Sequence, residues 1–362
     1  MKATAIWTAA YHINRVHGWL RRCGISRCMA DEIGRDLHDK HILSPAQLRQ
    51  IKDFWRPYWK VNPLFFKFYT EKYGQFSPEF IPDDLYLNII EPRLNNHERA
   101  GALDDKGLYP VFLKDLGFRL APTICRRTER YYFDADGNPV GADDALNLII
   151  DAGKAFVKKS RNTSGGEGVV PYDAAGMSPD GLRNAVRRLG ADWVAQAPVV
   201  QCDELNRLNP NSVNTLRIMS YLRRDGSVVV LPAAIRMSCN NARIDNGSAG
   251  GISCGILPDG RLKPTATTIH GDKCDVHPLT GVRFDDVTVP DFSRIVERVR
   301  YAHPRFPFLR LMAWDIAVDS DREPVLIEFN YNGGLQITQL NNGPLFGEHS
   351  REILDDVFEI RH

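Results

Sequence analysis

No stretch of this sequence approaches the roughly 18 consecutive apolar residues that a membrane-spanning helix needs. Near the N-terminus, the run from Trp7 to Leu20 is broken by His12, Asn14, Arg15 and His17. Nor is there an excess of one charge: 46 Lys and Arg stand against 45 Asp and Glu, a net charge of +1. That balance argues against a general nucleic-acid or membrane-surface binder. Only residues 1–60 are locally basic, 11 against 5, which suits either one acidic partner or a solvated helical face. The seven cysteines are scattered at Cys23, Cys28, Cys125, Cys202, Cys239, Cys254 and Cys274, without a CxxC pair or a Cys/His block. Reduced, buried thiols in a soluble cytoplasmic protein are expected. Internal repeats and low-complexity segments are absent as well.

What is present is globular composition: 43% apolar, 25% charged and 10% aromatic over 362 residues, enough for more than one compact unit. Ser44-Pro45 pairs an N-cap with a proline at the first helical position, and Leu48, Ile51, Phe54 and Trp55 follow at helical spacing. Between Pro57 and Phe80 lie nine aromatics, among them Tyr58, Trp59, Phe65, Phe66, Phe68 and Tyr69. They have no basic groove around them, so packing is expected rather than base stacking. Residues 104–118 read as a short helical stretch stopped at Gly117.

From Ile124 onward, apolar β runs alternate with helical pieces. Strands are predicted at Arg130–Phe133, Ala155–Lys158, Trp193–Val200, Thr215–Leu222, Ser227–Ile235, Met312–Val318 and Pro324–Phe329. Helices are predicted at 142–152, 178–189, 290–302 and 348–359. Asp134–Gly137, Arg224–Gly226 and Pro258–Gly260 are hairpin-type turns. The class is α+β with a helical, aromatic-rich N-terminal region.

Four segments carry chemistry. In W-D-I-A-V-D-S-D-R-E-P-V-L-I-E-F-N, residues 314–330, Glu328 and Asn330 lie two apart on a strand and so share a face. A hairpin brings Asp315 across from them. The set is either a hard-cation site suited to Mg²⁺ or an ordinary acidic hairpin. In F-V-K-K-S-R-N-T-S-G-G-E-G-V, residues 156–169, a strand with Lys158 runs into a loop of Ser160, Thr163, Ser164, Gly165, Gly166 and Gly168. Such a loop can cradle phosphate or be a plain glycine-rich hairpin, and it matches neither common nucleotide fingerprint. V-A-Q-A-P-V-V-Q-C-D-E-L, residues 194–205, is a buried strand with a polar exit. N-S-V-N-T-L-R-I (211–218) and A-A-I-R-M (233–237) each put an arginine, Arg217 and Arg236, on an apolar strand. There it serves a ligand anion or a buried ion pair. D-N-G-S-A-G-G-I, residues 245–252, adds a second glycine loop.

In this order, over roughly residues 104–342, these segments resemble the ATP-grasp superfamily. They look closest to its sugar-transfer-associated branch, through the aromatic front end, N-S-V-N-T-L-R-I and H-P-L-T-G at 277–281. The resemblance implies two α+β subdomains clamping ATP, here 104–200 and 201–362, preceded by the helical region 1–103. It implies that Lys106, Lys158, Ser164, Gly165 and Gly166 hold the phosphates. Gln196 with the backbone of Ala197 and Val199 would face adenine, and Glu204 the ribose. Asp315, Glu328 and Asn330 would bind Mg²⁺, while Arg217, Arg236 and Asn246 serve the transferred group. Lys159 replaces a common proline, Gln196 a common Glu, and Ala313 an arginine found in D-alanine–D-alanine ligases. The usual Rossmann-like N-terminal subdomain is replaced by helices.

The implied activity is an ATP- and Mg²⁺-dependent carboxylate–amine ligase working through an acyl phosphate. Its partners would be a small-molecule carboxylate and an amine, such as a sugar acid and an amino acid in polysaccharide or natural-product biosynthesis. A small-molecule kinase and a non-catalytic nucleotide-binding scaffold are the alternatives.

Overall fold

Ser44 begins the helix Pro45–Trp55 as the sequence predicts. Its hydroxyl accepts from Gln47 N–H, and the Gln47 side chain accepts from Ser44 N–H in return. The computed structural model describes residues 29–31, 33–35, 37, 43–161, 168–239 and 251–360. Cys23, Cys28, Thr163, Ser164, Gly165, Gly166, Asn246 and Gly250 lie outside the described residues. The chain divides into two compact units, residues 1–94 with 342–362, and residues 95–341. Among the described residues, no helix is long and apolar enough to cross a membrane.

The first unit is helical and its core is aromatic. The helix Pro63–Tyr73 starts under the Asn62 side chain and ends at Gly74, where φ is 96°. Trp55, Phe65, Phe66, Phe68, Tyr69 and Phe80 are almost wholly buried, and Tyr69 stacks on Phe80 with ring centres 5.1 Å apart. The polar atoms of these rings are satisfied: Tyr69 Oη donates to Asp83 Oδ2 at 2.7 Å and Trp55 Nε1 to Pro78 O at 2.9 Å. The C-terminal helix Ser350–Phe358 belongs to this unit, where Tyr58 Oη donates to Asp355 Oδ1. Most of the aromatic run is therefore core, although Trp59 is exposed.

The second unit holds the fifteen strands found among the described residues: β1 (Arg119–Leu120), β2 (Thr123–Thr128), β3 (Tyr131–Asp134), β4 (Pro139–Val140), β5 (Lys154–Lys159), β6 (Val169–Asp173), β7 (Trp193–Gln196), β8 (Thr215–Leu222), β9 (Val228–Val230), β10 (Ala234–Met237), β11 (Ile252–Ile256), β12 (Leu262–Thr268), β13 (Lys273–Cys274), β14 (Leu311–Val318) and β15 (Pro324–Asn330). They form a large sheet ordered β1-β15-β14-β8-β10-β11-β12-β13, with β9 on β8, and a smaller one ordered β4-β3-β2-β7-β5-β6. Period-two alternation gives each sheet two unlike faces. On the large sheet, Trp314, Ile316, Leu216, Ile218, Ile235 and Cys254 pack into an apolar core with Ile295 and Val299 of the helix Phe292–Ala302. On the small sheet, Cys125, Val157, Trp193 and Ala195 pack with Ala145, Ile149, Leu182 and Val186 of two covering helices. The opposite faces carry the charged side chains, among them Arg217, Arg236 and Asp315 on the large sheet and Arg126 and Lys158 on the small one, beside apolar residues such as Phe156 and Ile327.

Three predicted elements differ. The strand 227–235 is two strands, because Pro232 has no N–H to give to a ladder. β9 pairs with the end of β8 and β10 with its beginning. The strand 193–200 stops at Gln196, two residues before Pro198. The stretch 104–118 is not one helix: 3₁₀ turns at Gly101–Asp104 and Lys106–Leu108 lead to a single helical turn, Tyr109–Phe112.

The Asp-Gly turns look alike in sequence but not in space. Gly226 and Gly260 have φ of 87° and 89°. A Cβ at Gly226 would meet nothing, whereas one at Gly260 would lie 2.7 Å from the Val289 carbonyl oxygen. Gly226→Ala should therefore cost only about 1–2 kcal/mol for its left-handed backbone. Gly260→Ala should cost distinctly more in urea denaturation, and equal costs would refute this packing.

Candidate functional site

The polar face of the large sheet is built around Asp315. In register, Asp315 on β14 lies directly opposite Glu328 on β15 and, on its other side, Arg217 on β8. Asp315 is fully buried, and a carboxylate there needs paired donors. Arg217 supplies a fork, Nε to Oδ1 at 2.7 Å and a terminal nitrogen to Oδ2 at 3.1 Å. A terminal nitrogen of Arg236 lies 3.2 Å from Oδ2, and Asn330 Nδ2 donates to the same oxygen at 3.2 Å. Arg236 also donates twice to Thr215 Oγ1, its cross-strand neighbour, at 3.1 and 2.9 Å.

Glu328 connects this row to the turn before the small sheet. Lys106 Nζ is 2.9 Å from Glu328 Oε2, and Lys106 N–H donates to Ser160 O, just beyond the end of β5. Burial alone would raise the Glu328 pKa, but Lys106, Lys158 and Arg236 overcome it and hold the group at about 2. Lys158 is crowded by protein atoms on the cleft-facing side of β5. Burial, then the neighbouring Lys106, push its pKa down to about 8, against a partial pull from Glu328. Asp104 is raised by burial, and Asp105 spends Oδ1 on Gly107 N–H.

Beside this cluster is a cavity of about 770 Å³ between the two sheets. Phe156, Val199, Val213 and Ile327 form apolar walls, with Lys158 and Gln196 as polar groups. Gln196 Nε2 donates to Ala121 O at 3.3 Å, which turns its amide oxygen toward the cavity. Ala197 N–H donates to Pro122 O at 2.8 Å, so only the carbonyl of Ala197 remains for a ligand. Val199 N–H makes no hydrogen bond among the described residues. Glu204 pairs instead with Arg322 and does not line the cavity. Gln201 and Asn206, bonded to each other, line it in that region.

Thus Lys106, Lys158, Arg217, Arg236, Asp315, Glu328 and Asn330 come together, while Gln196, Ala197 and Val199 edge the cavity. Thr215 was not singled out from sequence, although its place two residues before Arg217 puts it on the same face. Gly333 lies in the loop just after β15. A Cβ there would lie 2.7 Å from Ala313 Cβ and 3.6 Å from a terminal nitrogen of Arg217. The loop after β15 therefore closes directly onto Ala313, and the arginine of this region arrives from the adjacent strand.

Glu328 and Asn330 offer oxygen donors of the kind Mg²⁺ takes. Asp315 has both oxygens engaged by guanidinium and amide groups. Among the described residues, no three His, Cys, Asp or Glu side chains form a metal cluster. The donor set therefore fits Mg²⁺ that arrives with further oxygens of its own, rather than a bare ion.

Two substitutions should behave differently. Asp315→Asn leaves Arg217 and Arg236 without their counter-charge and should cost about 3–5 kcal/mol in chemical denaturation. Glu328→Gln, at the more open end of the row, should cost less. Because the Glu328 pKa is lowered on folding, its contribution is complete above the unfolded value near 4.5 and is lost as pH falls toward about 2. Acid titration of stability should lose that component in Glu328→Gln.

Over residues 88–353 the sequence matches the family described as sugar-transfer associated ATP-grasp. Comparison with curated proteins gives no match. Among solved structures, the chain is similar to N5-carboxyaminoimidazole synthetase from Staphylococcus aureus complexed with ADP, at 12% identity over 72% of this chain and 50% of that one, TM-score 0.41. It is similar to D-alanyl-alanine synthetase A from Vibrio cholerae, at 12% identity over 73% and 68%, TM-score 0.43. D-cycloserine synthetase matches at 13% identity over 73% of each chain, TM-score 0.43. The chain spans about half the length of the first of these. With two sheets around a cationic cleft and a family match over well over half its length, the chain belongs to the sugar-transfer associated ATP-grasp family.

Proposed function

We propose that this cleft binds ATP with Mg²⁺ and uses it to activate a carboxylate for attack by an amine. The observation that carries this reading is the charge balance beside the cavity. Lys106, Lys158, Arg217 and Arg236 outnumber Asp315 and Glu328, and Arg126 and Arg161 offset Asp104 and Asp105 around the Lys106 turn. A site with that excess attracts a polyanion, and a drier cleft strengthens the attraction. The adjoining cavity has apolar walls, an outward amide oxygen at Gln196 and a backbone N–H at Val199, which suits a flat base with one donor edge and one acceptor edge.

Lys106 and Lys158 would neutralise the phosphates, and Arg217 and Arg236 would orient the carboxylate. Glu328 and Asn330 would hold Mg²⁺, which when bound would offset phosphate charge. A carboxylate oxygen attacks the γ-phosphorus and ADP leaves. The amine then attacks the acyl carbon, phosphate departs, and the amine gives up a proton. Asp315 acts by holding the two guanidinium groups in place. The Asn246 and Ser164–Gly166 assignments belong to the same proposal, as does the choice of a sugar-linked carboxylate.

The test is incubation with ATP, Mg²⁺, pooled carboxylates and hydroxylamine, read by mass spectrometry. An acyl hydroxamate with ADP is expected, whereas a stable phosphoester without hydroxamate would make the protein a kinase. Arg236→Lys should slow hydroxamate formation roughly 100- to 1,000-fold if its fork meets the transferred group. ADP affinity should fall as pH rises through about 8, because Lys158 loses its proton there. A flat profile from pH 7 to 9 would remove Lys158 from the phosphate site.

A further inference from the structure

Arg126, in the middle of β2, belongs to none of the sequence motifs, yet it is only 8% exposed. A guanidinium keeps its charge in the interior, so burial normally comes with acceptors. Arg217, the other arginine among the described residues buried to this degree, has Asp315. Arg126 has no hydrogen bond or ion pair among the described residues, and its Nε is buried without an acceptor. Its side-chain contact is the face of Phe133, 4.8 Å from the ring centre. That contact orients the planar group without satisfying its N–H donors.

Its position is informative. Arg126 pairs across the ladder with Val194 on β7, and Val194 pairs with Lys158 on β5. The three share a face, the one turned away from the apolar core of the small sheet. At the usual strand spacing, the Arg126 and Lys158 backbones lie roughly 10 Å apart. The Arg126 Cδ is 3.7 Å from where a Cβ on Gly107 would sit, an ordinary contact distance that places the side chain beside the residue after Lys106. Gln196, at the cavity edge, lies two residues along β7 from Val194, so Arg126 and Lys158 stand in the next same-face row of the sheet from the proposed base-binding edge.

We propose that Arg126 is an anion-binding residue that takes a phosphate group of the nucleotide, as a third cation beside Lys106 and Lys158. This rests on the nucleotide reading above. Three cations on neighbouring positions favour a multiply charged anion over a lone carboxylate. The guanidinium fork suits two phosphate oxygens.

The experiment compares wild type, Arg126→Met and Arg126→Lys by calorimetric titration with ADP, adenosine and pyrophosphate, together with ligand-free melting temperatures. Arg126→Met should bind ADP roughly 10- to 100-fold more weakly, the loss of one charged hydrogen-bonding group. It should bind adenosine as wild type does and melt no earlier without ligand, because no hydrogen bond or ion pair among the described residues is lost and the Met side chain can keep an apolar contact with Phe133. Arg126→Lys should fall between. ADP affinity in Arg126→Met within twofold of wild type would overturn the proposal and leave the nucleotide reading standing. Early melting with unchanged affinity per folded molecule would make the residue structural and overturn it equally. If wild type bound pyrophosphate in an Arg126-dependent way but neither nucleoside nor nucleotide, the anion site would stand and the nucleotide reading would fall. Wild type that binds none of the three overturns both.

Discussion

Asp315 is a carboxylate with no solvent exposure in an interior strand of a nine-stranded sheet, and Arg217 from the next strand makes that tolerable. The two residues are direct cross-strand partners, so the pair also pins the register of β14 on β8. A slip of one residue would send Asp315 into the core occupied by Trp314 and Ile316, away from the Arg217 fork. Burial therefore turns an ion pair into a constraint on alignment as well as on charge.

The rest of the site leans on that pair. Arg236 is held between Asp315 and Thr215, so its guanidinium is oriented before any ligand arrives. Glu328, next to Asp315, would suffer like-charge repulsion without Lys106 on its far side. Lys106 in turn is tied through its backbone to Ser160 beyond β5, which links the large sheet's polar row to the small sheet. Along the chain of contacts Lys106, Glu328, Asp315 and Arg217 a cation flanks the acidic pair at each end, with Asn330 donating to Asp315 beside them. Cationic charge without an ion-pair partner among the described residues sits at Lys158, which lines the cavity, and at Arg126 on the same face of the small sheet.

Much of this was legible because it rests on local patterns. Glu328 and Asn330 share a face by strand periodicity, and Arg217 and Arg236 announced themselves as charges in apolar runs. The turn glycines and the Ser44 cap work through chemistry confined to a few residues. What misled was also local: Pro232 splits a strand that hydrophobicity alone joins, and Pro198 stands just beyond the point where β7 ends. Glu204 looked well placed for a ligand, but Arg322, 118 residues away, holds its carboxylate.

Residue order and type thus determined the α+β class, the helical aromatic N-terminal region, the family and the residues of the acidic and basic motifs. These follow from side-chain periodicity and from short-range backbone chemistry, which act within a few residues of one another. Tertiary structure alone decided which charges meet. It paired Asp315 with two guanidinium groups, closed Gly333 onto Ala313, took up the Ala197 N–H at Pro122, and left Arg126 buried with an aromatic face but no acceptor among the described residues. Each of those outcomes depends on register between strands far apart in sequence, and register is set by the summed burial of two whole faces rather than by any one motif.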